Sequence, residues 1–237
     1  MRGPLLNFLT TRETLFFMVA KNGGNGADTP DDFFLPTNEI RQALTVIRQG
    51  GVVAIPTETY YGLAVDPFNE EAVSRLFILK KRPSAKPLLT LIANRNHLDA
   101  LTPEIPPVYL PLLDFWPGPL TLVFTARSSL SSLVTGKTGT VGARISSHPL
   151  AHCFVRELDQ PVTATSANIS GVPAAITADE VRQAFGSQID FIIDGGRTPG
   201  GKGSTLVGLR QGRLALIREG VISFTEIQEK ARLTQGS

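Results

Sequence analysis

The sequence is poor in the residues that build covalent and metal-held scaffolds. One cysteine, Cys153, in 237 residues excludes an intrachain disulfide framework and any cysteine pair around a metal. Such sparing use suits a reducing cytoplasm. Three histidines, His97, His148 and His152, leave few metal ligands. His148 and His152 lie four apart with Pro149 between them, and no glutamate follows His148 as a metalloprotease helix would require. No apolar run approaches the roughly 20 residues of a membrane helix; Leu15 to Ala20 is far too short, which argues against an integral membrane protein. One tryptophan and three tyrosines offer few rings for stacking nucleic-acid bases. Neither sign of charge dominates: 23 Lys and Arg against 21 Asp and Glu leave +2, so anion binding must come from local clusters.

What is present is a globular composition, 42 % hydrophobic and 19 % charged, on a chain long enough to bury a sizeable core. The first 37 residues differ from the rest. Lys21 to Pro36 carries Gly-Gly-Asn-Gly and Asp-Thr-Pro-Asp-Asp, which reads as a flexible polar linker, so residues 1–37 are expected to form an extension and 38–237 the domain. Arg2 and Arg12 around a broken apolar stretch leave an organelle-targeting reading open, beside a disordered tail and a start at Met18.

From Asn38 onward, helix and strand signals alternate. Helical spacing over Glu39 to Arg48 stops at Gly50-Gly51, and Val52 to Ile55 is a short apolar strand. Asn69 is a good N-cap with Glu70 and Glu71 behind it; Val73, Leu76 and Phe77 line one helix face, and Pro83 is expected to end it. Further strands are predicted over 88–93, 120–125, 140–145, 161–165, 191–193, 204–209 and 213–218, and helices over 107–115, 148–158, 177–185 and 223–232. This order predicts an α/β fold with a mixed sheet.

Four clusters carry chemistry. Lys80, Lys81, Arg82 and Lys86 place four cations within seven residues around a proline turn. Cations suit a helix C-terminus, but four exceed what capping needs and can clamp a polyphosphate. Read as loop cations, Lys80 and Arg82 should be removable without loss of the fold. Thr165 to Gly171 follows an apolar strand, and Ser166 and Asn168 offer a hydroxyl and an amide to a ligand, or an ordinary turn. Gly196 to Lys202 mimics a phosphate-binding P-loop, but Gly203 stands where Ser or Thr belongs and Leu206 to Leu209 reads as a strand, whereas a P-loop opens a helix. A mobile glycine-rich loop near the ligand is the better reading. Pro56 to Gly62 sets hydroxyls and a carboxylate at a strand exit. No serine-histidine-aspartate arrangement is indicated.

In order and spacing, these motifs resemble the YrdC/Sua5/TsaC family from about Asn38 to Ser223. They are Pro56-Thr-Glu-Thr-Tyr-Tyr-Gly62, Lys80-Lys-Arg-Pro83 with Lys86-Pro-Leu88, Trp116-Pro-Gly-Pro-Leu-Thr121, Thr140-Val-Gly-Ala-Arg144, His148-Pro149, Ser166-Ala-Asn168-Ile-Ser-Gly171, Gly195-Gly196 and Ser204-Thr205. The family's KxR and SxN elements are met by Lys80, Arg82, Ser166 and Asn168. The resemblance implies a twisted open mixed sheet with flanking helices and a large, positively charged cavity. It implies a nucleotidyltransferase, L-threonylcarbamoyladenylate synthase, that joins L-threonine, bicarbonate or CO2, and ATP into threonylcarbamoyl-AMP and pyrophosphate. The product would feed N6-threonylcarbamoylation of tRNA adenosine 37 through a partner transferase in the cytoplasm. By the same resemblance Lys80, Arg82, Lys86, Thr140, Ser166, Asn168 and Arg218 would hold ATP, with Mg2+ on its phosphates and no protein metal ligand. Thr59, Arg144, the backbone of Ala164 and Ser204 would hold threonine. No general acid or base is implied, because the amine captures CO2 unaided. The chain departs from family patterns at Leu91, where longer relatives carry His; at Ala174, where a Ser often contacts ATP; and at Glu219, within Arg218-Glu219-Gly220. It resembles the short TsaC type. Two other readings stand beside this one: an RNA-binding module using the basic cavity, and a paralogue acting on another small-molecule acceptor.

Overall fold

The computed structural model describes residues 37–233; nearly all of the expected extension therefore lies outside the described residues. The first helix, α1 (Asn38–Arg48), starts where Thr37 Oγ1 accepts from Ile40 N at 3.3 Å. It buries Ile40, Ala43, Leu44 and Ile47, one face at helical spacing. The chain then forms a hairpin of β1 (Val53–Pro56) and β2 (Tyr61–Ala64), paired from Val53↔Ala64 to Pro56↔Tyr61. All eight residues are buried, so β2 shows no polar alternation and sequence reasoning left it inside a loop motif.

Helix α2 (Glu70–Lys80) is capped by Asn69, whose side chain accepts from Ala72 N at 3.1 Å. It ends at Lys80, with Lys81 left-handed at φ 49°. A left-handed residue after the last turn closes the helix before Pro83 can. Then follow β3 (Leu89–Leu91), 3₁₀ segments at Arg95–Ala100 and Pro107–Phe115, β4 (Leu120–Thr125), a short α3 (Ser132–Thr135) and β5 (Thr140–Arg144). Helix α4 (Pro149–Leu158) has proline in its first turn, where a missing N–H costs nothing. After it come β6 (Val162–Thr163), β7 (Thr165–Ser166), α5 (Ala178–Phe185), β8 (Phe191–Ile192), β9 (Thr205–Arg210), β10 (Arg213–Arg218) and α6 (Phe224–Leu233).

The strands form two mixed sheets where the sequence suggested one. The first runs β7-β2-β1-β8 and the second β10-β9-β4-β5-β3-β6. Parallel pairs (β1 with β8, β3 with β5, β4 with β9) sit among antiparallel ones. The predicted strand over 161–165 is divided between them: β6 joins the second sheet, β7 joins the first, and Ala164 is the crossing point. There its N–H donates to Leu89 O at 2.6 Å. One core gathers Tyr61, Leu76, Leu122 and Val207; the other gathers Ile40, Ile55, Leu91 and Phe154, with α1 and α4. Among the described residues no helix is long and apolar enough to cross a membrane.

Candidate functional site

A cavity of about 720 Å³ opens where the two sheets meet. The first sheet contributes the β1–β2 turn (Thr57, Thr59, Tyr60) and Ser166; the second contributes Leu89, Arg144, Ser204, Leu206, Ile217 and Arg218. Strand ends and turns supply nearly all of these, so a rigid frame carries the polar groups.

The β1–β2 turn is fixed by its own hydroxyls. Thr57 Oγ1 donates to Tyr60 O at 2.7 Å and accepts from the N–H groups of Thr59 and Tyr60 at 3.2 and 3.3 Å. Two hydrogen bonds tie the turn to the glycine-rich loop: Gly200 N to Thr59 O at 2.7 Å, and Tyr60 OH to Gly201 O at 2.7 Å. That loop leads into strand β9, not a helix, so it is no P-loop. At its end Gly220 packs on the backbone of Gly203 and Ser204, where any Cβ would overlap Gly203 O. This close approach brings Arg218 to Ser204: Nη2 donates to Ser204 O at 2.9 Å, and Ser204 Oγ pairs with Thr121 Oγ1 at 2.8 Å.

Arg82, Lys86, Arg144 and Arg218 all line the cavity, and no Asp or Glu is among the lining residues. Burial pushes all three arginines down from their ordinary pKa, and Arg218 pushes Arg82 and Arg144 down further. Crowded, desolvated cations favour an anionic ligand. Arg144 is ion-paired with Glu58, whose second oxygen accepts from Ser146 Oγ. Among the described residues Arg82 donates only to its own loop, to Lys86 O and Pro87 O at 3.3 and 2.8 Å.

Of the residues singled out from sequence, Arg82, Lys86, Ser166, Arg218, Thr59, Arg144, Ala164 and Ser204 meet in this cavity. Lys80, Asn168 and Thr140 are not among the lining residues. Lys80 is no loop cation: it ends α2 with 1 % of its surface exposed. Its ammonium donates to Ser166 O, to Asn168 O at 2.8 Å and to Asn168 Oδ1 at 3.2 Å. Burial, then Arg82, pushes its pKa down to about 7. Asn168 is spent within its loop, accepting from Ser166 Oγ at 2.6 Å and donating to Val172 O at 2.6 Å. Thr140 opens β5, two pairs of residues before Arg144 and so on the same strand face; its hydroxyl pairs with Thr138 at 2.7 Å. Ala174 lines the cavity, whereas Leu91 is fully buried in the α1–α4 core. Sequence reasoning missed Ser146 and Thr121. Ser146 had a signal, since it stands two residues beyond Arg144.

Among the described residues no group of three or more His, Cys, Asp or Glu could hold a metal. With four cations and no Asp or Glu in its lining, the cavity suits an anionic ligand.

Two relatives named threonylcarbamoyl-AMP synthase are similar to this chain. The one from Pyrococcus abyssi is 40 % identical over 192 residues, covering 81 % of this chain and 56 % of the relative. The one from Bacillus subtilis is 37 % identical over 203 residues, covering 85 % and 59 %. The chain thus spans a little over half the length of these relatives. The crystal structure of P. abyssi Sua5 complexed with L-threonine matches with a TM-score of 0.78 at 40 % identity, covering 81 % of this chain and 56 % of that one. Escherichia coli YciO shares the fold, with a TM-score of 0.72 at 23 % identity, covering 79 % and 92 %. The Sua5/YciO/YrdC model, described as "Telomere recombination", matches residues 45–220, and with most of the chain under that match, this protein belongs to the Sua5/YciO/YrdC family.

Proposed function

We propose that the chain is an L-threonylcarbamoyladenylate synthase acting for tRNA modification in the cytoplasm. The observation that carries the reading is that Thr59, Arg144, Ala164 and Ser204 share one cavity with Arg82, Lys86, Ser166 and Arg218. The first set fits a small amino acid and the second fits a polyphosphate. Arg144 would pair the threonine carboxylate through its free guanidinium edge, and Arg82, Lys86 and Arg218 would hold the triphosphate. Lys80 would act through the Ser166–Asn168 loop that its ammonium grips.

The chemistry needs little from the protein beyond placement. The threonine amine takes up CO2 and loses a proton to give a carbamate. A carbamate oxygen then attacks the α-phosphorus of ATP, and pyrophosphate leaves with the electrons of the broken P–O bond. The cavity would hold both reactants in line, keep water from a labile mixed anhydride, and meet developing charge with fixed cations. Magnesium would enter on phosphate oxygens, because the lining offers hydroxyls and cations but no carboxylate; bound there, it would neutralise part of the charge on the leaving group.

The test is pyrophosphate release by the purified protein with ATP, Mg2+ and bicarbonate, with and without L-threonine. Release that needs both threonine and bicarbonate is expected. A second reading is another acceptor in the same cavity, and release driven by glycine or serine but not threonine would select it. Salt-steep tRNA binding with no ATP turnover would instead make the chain an RNA-binding module. A t6A transferase would consume the product.

A further inference from the structure

The four cavity cations are not equivalent. Arg82 and Arg218 bond only backbone or hydroxyl oxygens, and Lys86 makes no ion pair among the described residues. Arg144 alone has a carboxylate partner, Glu58. Glu58 does not itself line the cavity. It sits behind Arg144, only 12 % exposed at its side chain, with Ser146 Oγ on its second oxygen. Ser146 is buried, and its oxygen also accepts from His148 N at 3.2 Å. The three bonds of Thr57 Oγ1 fix the turn that carries Glu58. The carboxylate is thus held from two sides.

We propose that Glu58 is a specificity-determining residue that keeps pyrophosphate and other polyanions out of the amino-acid end of the cavity. This rests on the assignment of Arg144 to the substrate carboxylate. A bare guanidinium attracts an anion in proportion to the anion's charge, and would prefer a triphosphate or pyrophosphate to a monocarboxylate. Pairing with Glu58 cancels that long-range attraction. It leaves the remaining N–H donors of Arg144 for a short-range, geometry-dependent fork on one carboxylate. Arg82, Lys86 and Arg218 have no carboxylate partner among the described residues and keep their full charge; Arg218, held on Ser204, lies near both Arg82 and Arg144. Arg144 therefore selects by shape and the other three cations by charge, and a polyanion gains little from Arg144 where it would displace the acceptor.

The experiment is steady-state conversion of radiolabelled L-threonine, with ATP, Mg2+ and bicarbonate, to threonylcarbamoyl-AMP by the full chain, with methylenediphosphonate as inhibitor. This pyrophosphate mimic cannot feed the reverse reaction. In the wild type it is expected to compete with ATP and not with threonine. In Glu58→Gln, which keeps size and a hydrogen-bond acceptor but loses the charge, inhibition should become competitive with threonine and strengthen at least about tenfold on that axis. The KM for threonine should move less than the inhibition constant. Ser146→Ala keeps the charge and loses its anchor, so it should raise the threonine KM while leaving the inhibition pattern as in the wild type. A Glu58→Gln enzyme with the wild-type pattern, or a Ser146→Ala enzyme that gains the same inhibition, overturns the inference alone. A wild type without threonine-dependent turnover overturns the functional reading, and this inference with it.

Discussion

Lys80→Met separates a buried structural cation from a phosphate clamp. Methionine keeps most of the volume of the lysine stem and removes the ammonium. The three acceptors then fare differently. Ser166 O keeps the N–H of Asn168 at 2.9 Å, and Asn168 Oδ1 keeps Ser166 Oγ at 2.6 Å. Asn168 O loses its one protein donor among the described residues. An orphaned carbonyl costs about 1–3 kcal/mol, and the other lost bonds add about 1 kcal/mol. Removing a desolvated ammonium returns part of this. The net is a loss of about 2–3 kcal/mol, which lowers Tm by about 5–10 °C for a domain of this size. Thermal melting by circular dichroism measures the shift, and threonine-dependent pyrophosphate release should fall with it, because Ser166 sits on the freed loop. Arg82→Ala is the control. Among the described residues its guanidinium bonds only two carbonyls of its own loop, so Tm should stay within about 2 °C while turnover drops more than about 10-fold. Lys80→Met melting within about 2 °C of wild type would refute the reasoning, for the ammonium would then hold nothing together.

Three other outcomes follow from the same geometry. Arg144→Lys replaces a planar fork by a point charge, so the threonine KM should rise by about 10-fold or more with the ATP KM nearly unchanged, as read by steady-state kinetics. Lys80 has a folded pKa of about 7 against an ordinary 10.5. Below pH 7 both states carry the proton and the burial penalty is fully felt; between 7 and 10.5 the unfolded chain keeps a proton that the folded chain has shed, so stability rises with pH across that window. Denaturant titrations at pH 7 and 9 should therefore show wild type gaining on Lys80→Met as pH rises. Treatment with a chelator should abolish pyrophosphate release, and Mg2+ should restore it, while Tm of the nucleotide-free protein stays the same, since no metal cage exists among the described residues.

Local signals read well from sequence where side-chain period and turn chemistry agreed. Leu120–Thr125 and Arg213–Arg218 fall where predicted, and the Asn69 cap begins α2. Where a strand is buried on both faces, as in Tyr61–Ala64, alternation vanishes and with it the signal. The division of 161–165 between two sheets depends on Ala164 meeting Leu89, a contact that spacing does not record.

The cations teach a different lesson. Lys80, Lys81, Arg82 and Lys86 read as one cluster because charge was counted along the chain. Counted around the helix, Val73, Leu76, Phe77 and Lys80 stand at positions i, i+3, i+4 and i+7, the spacing of a single buried face. Helical phase thus already separated Lys80 from its neighbours, and the structure buries it accordingly. No such phase links Glu58 to Arg144, which lie 86 residues apart. Composition could say that anion-binding groups were present, but which of them stay charged toward a ligand depends on tertiary pairing. That pairing sets Arg144 apart from the other three cations of the cavity. The motif that carries Glu58 and the motif that carries Arg144 therefore have to be read as one unit, because changing either alters what the other can bind.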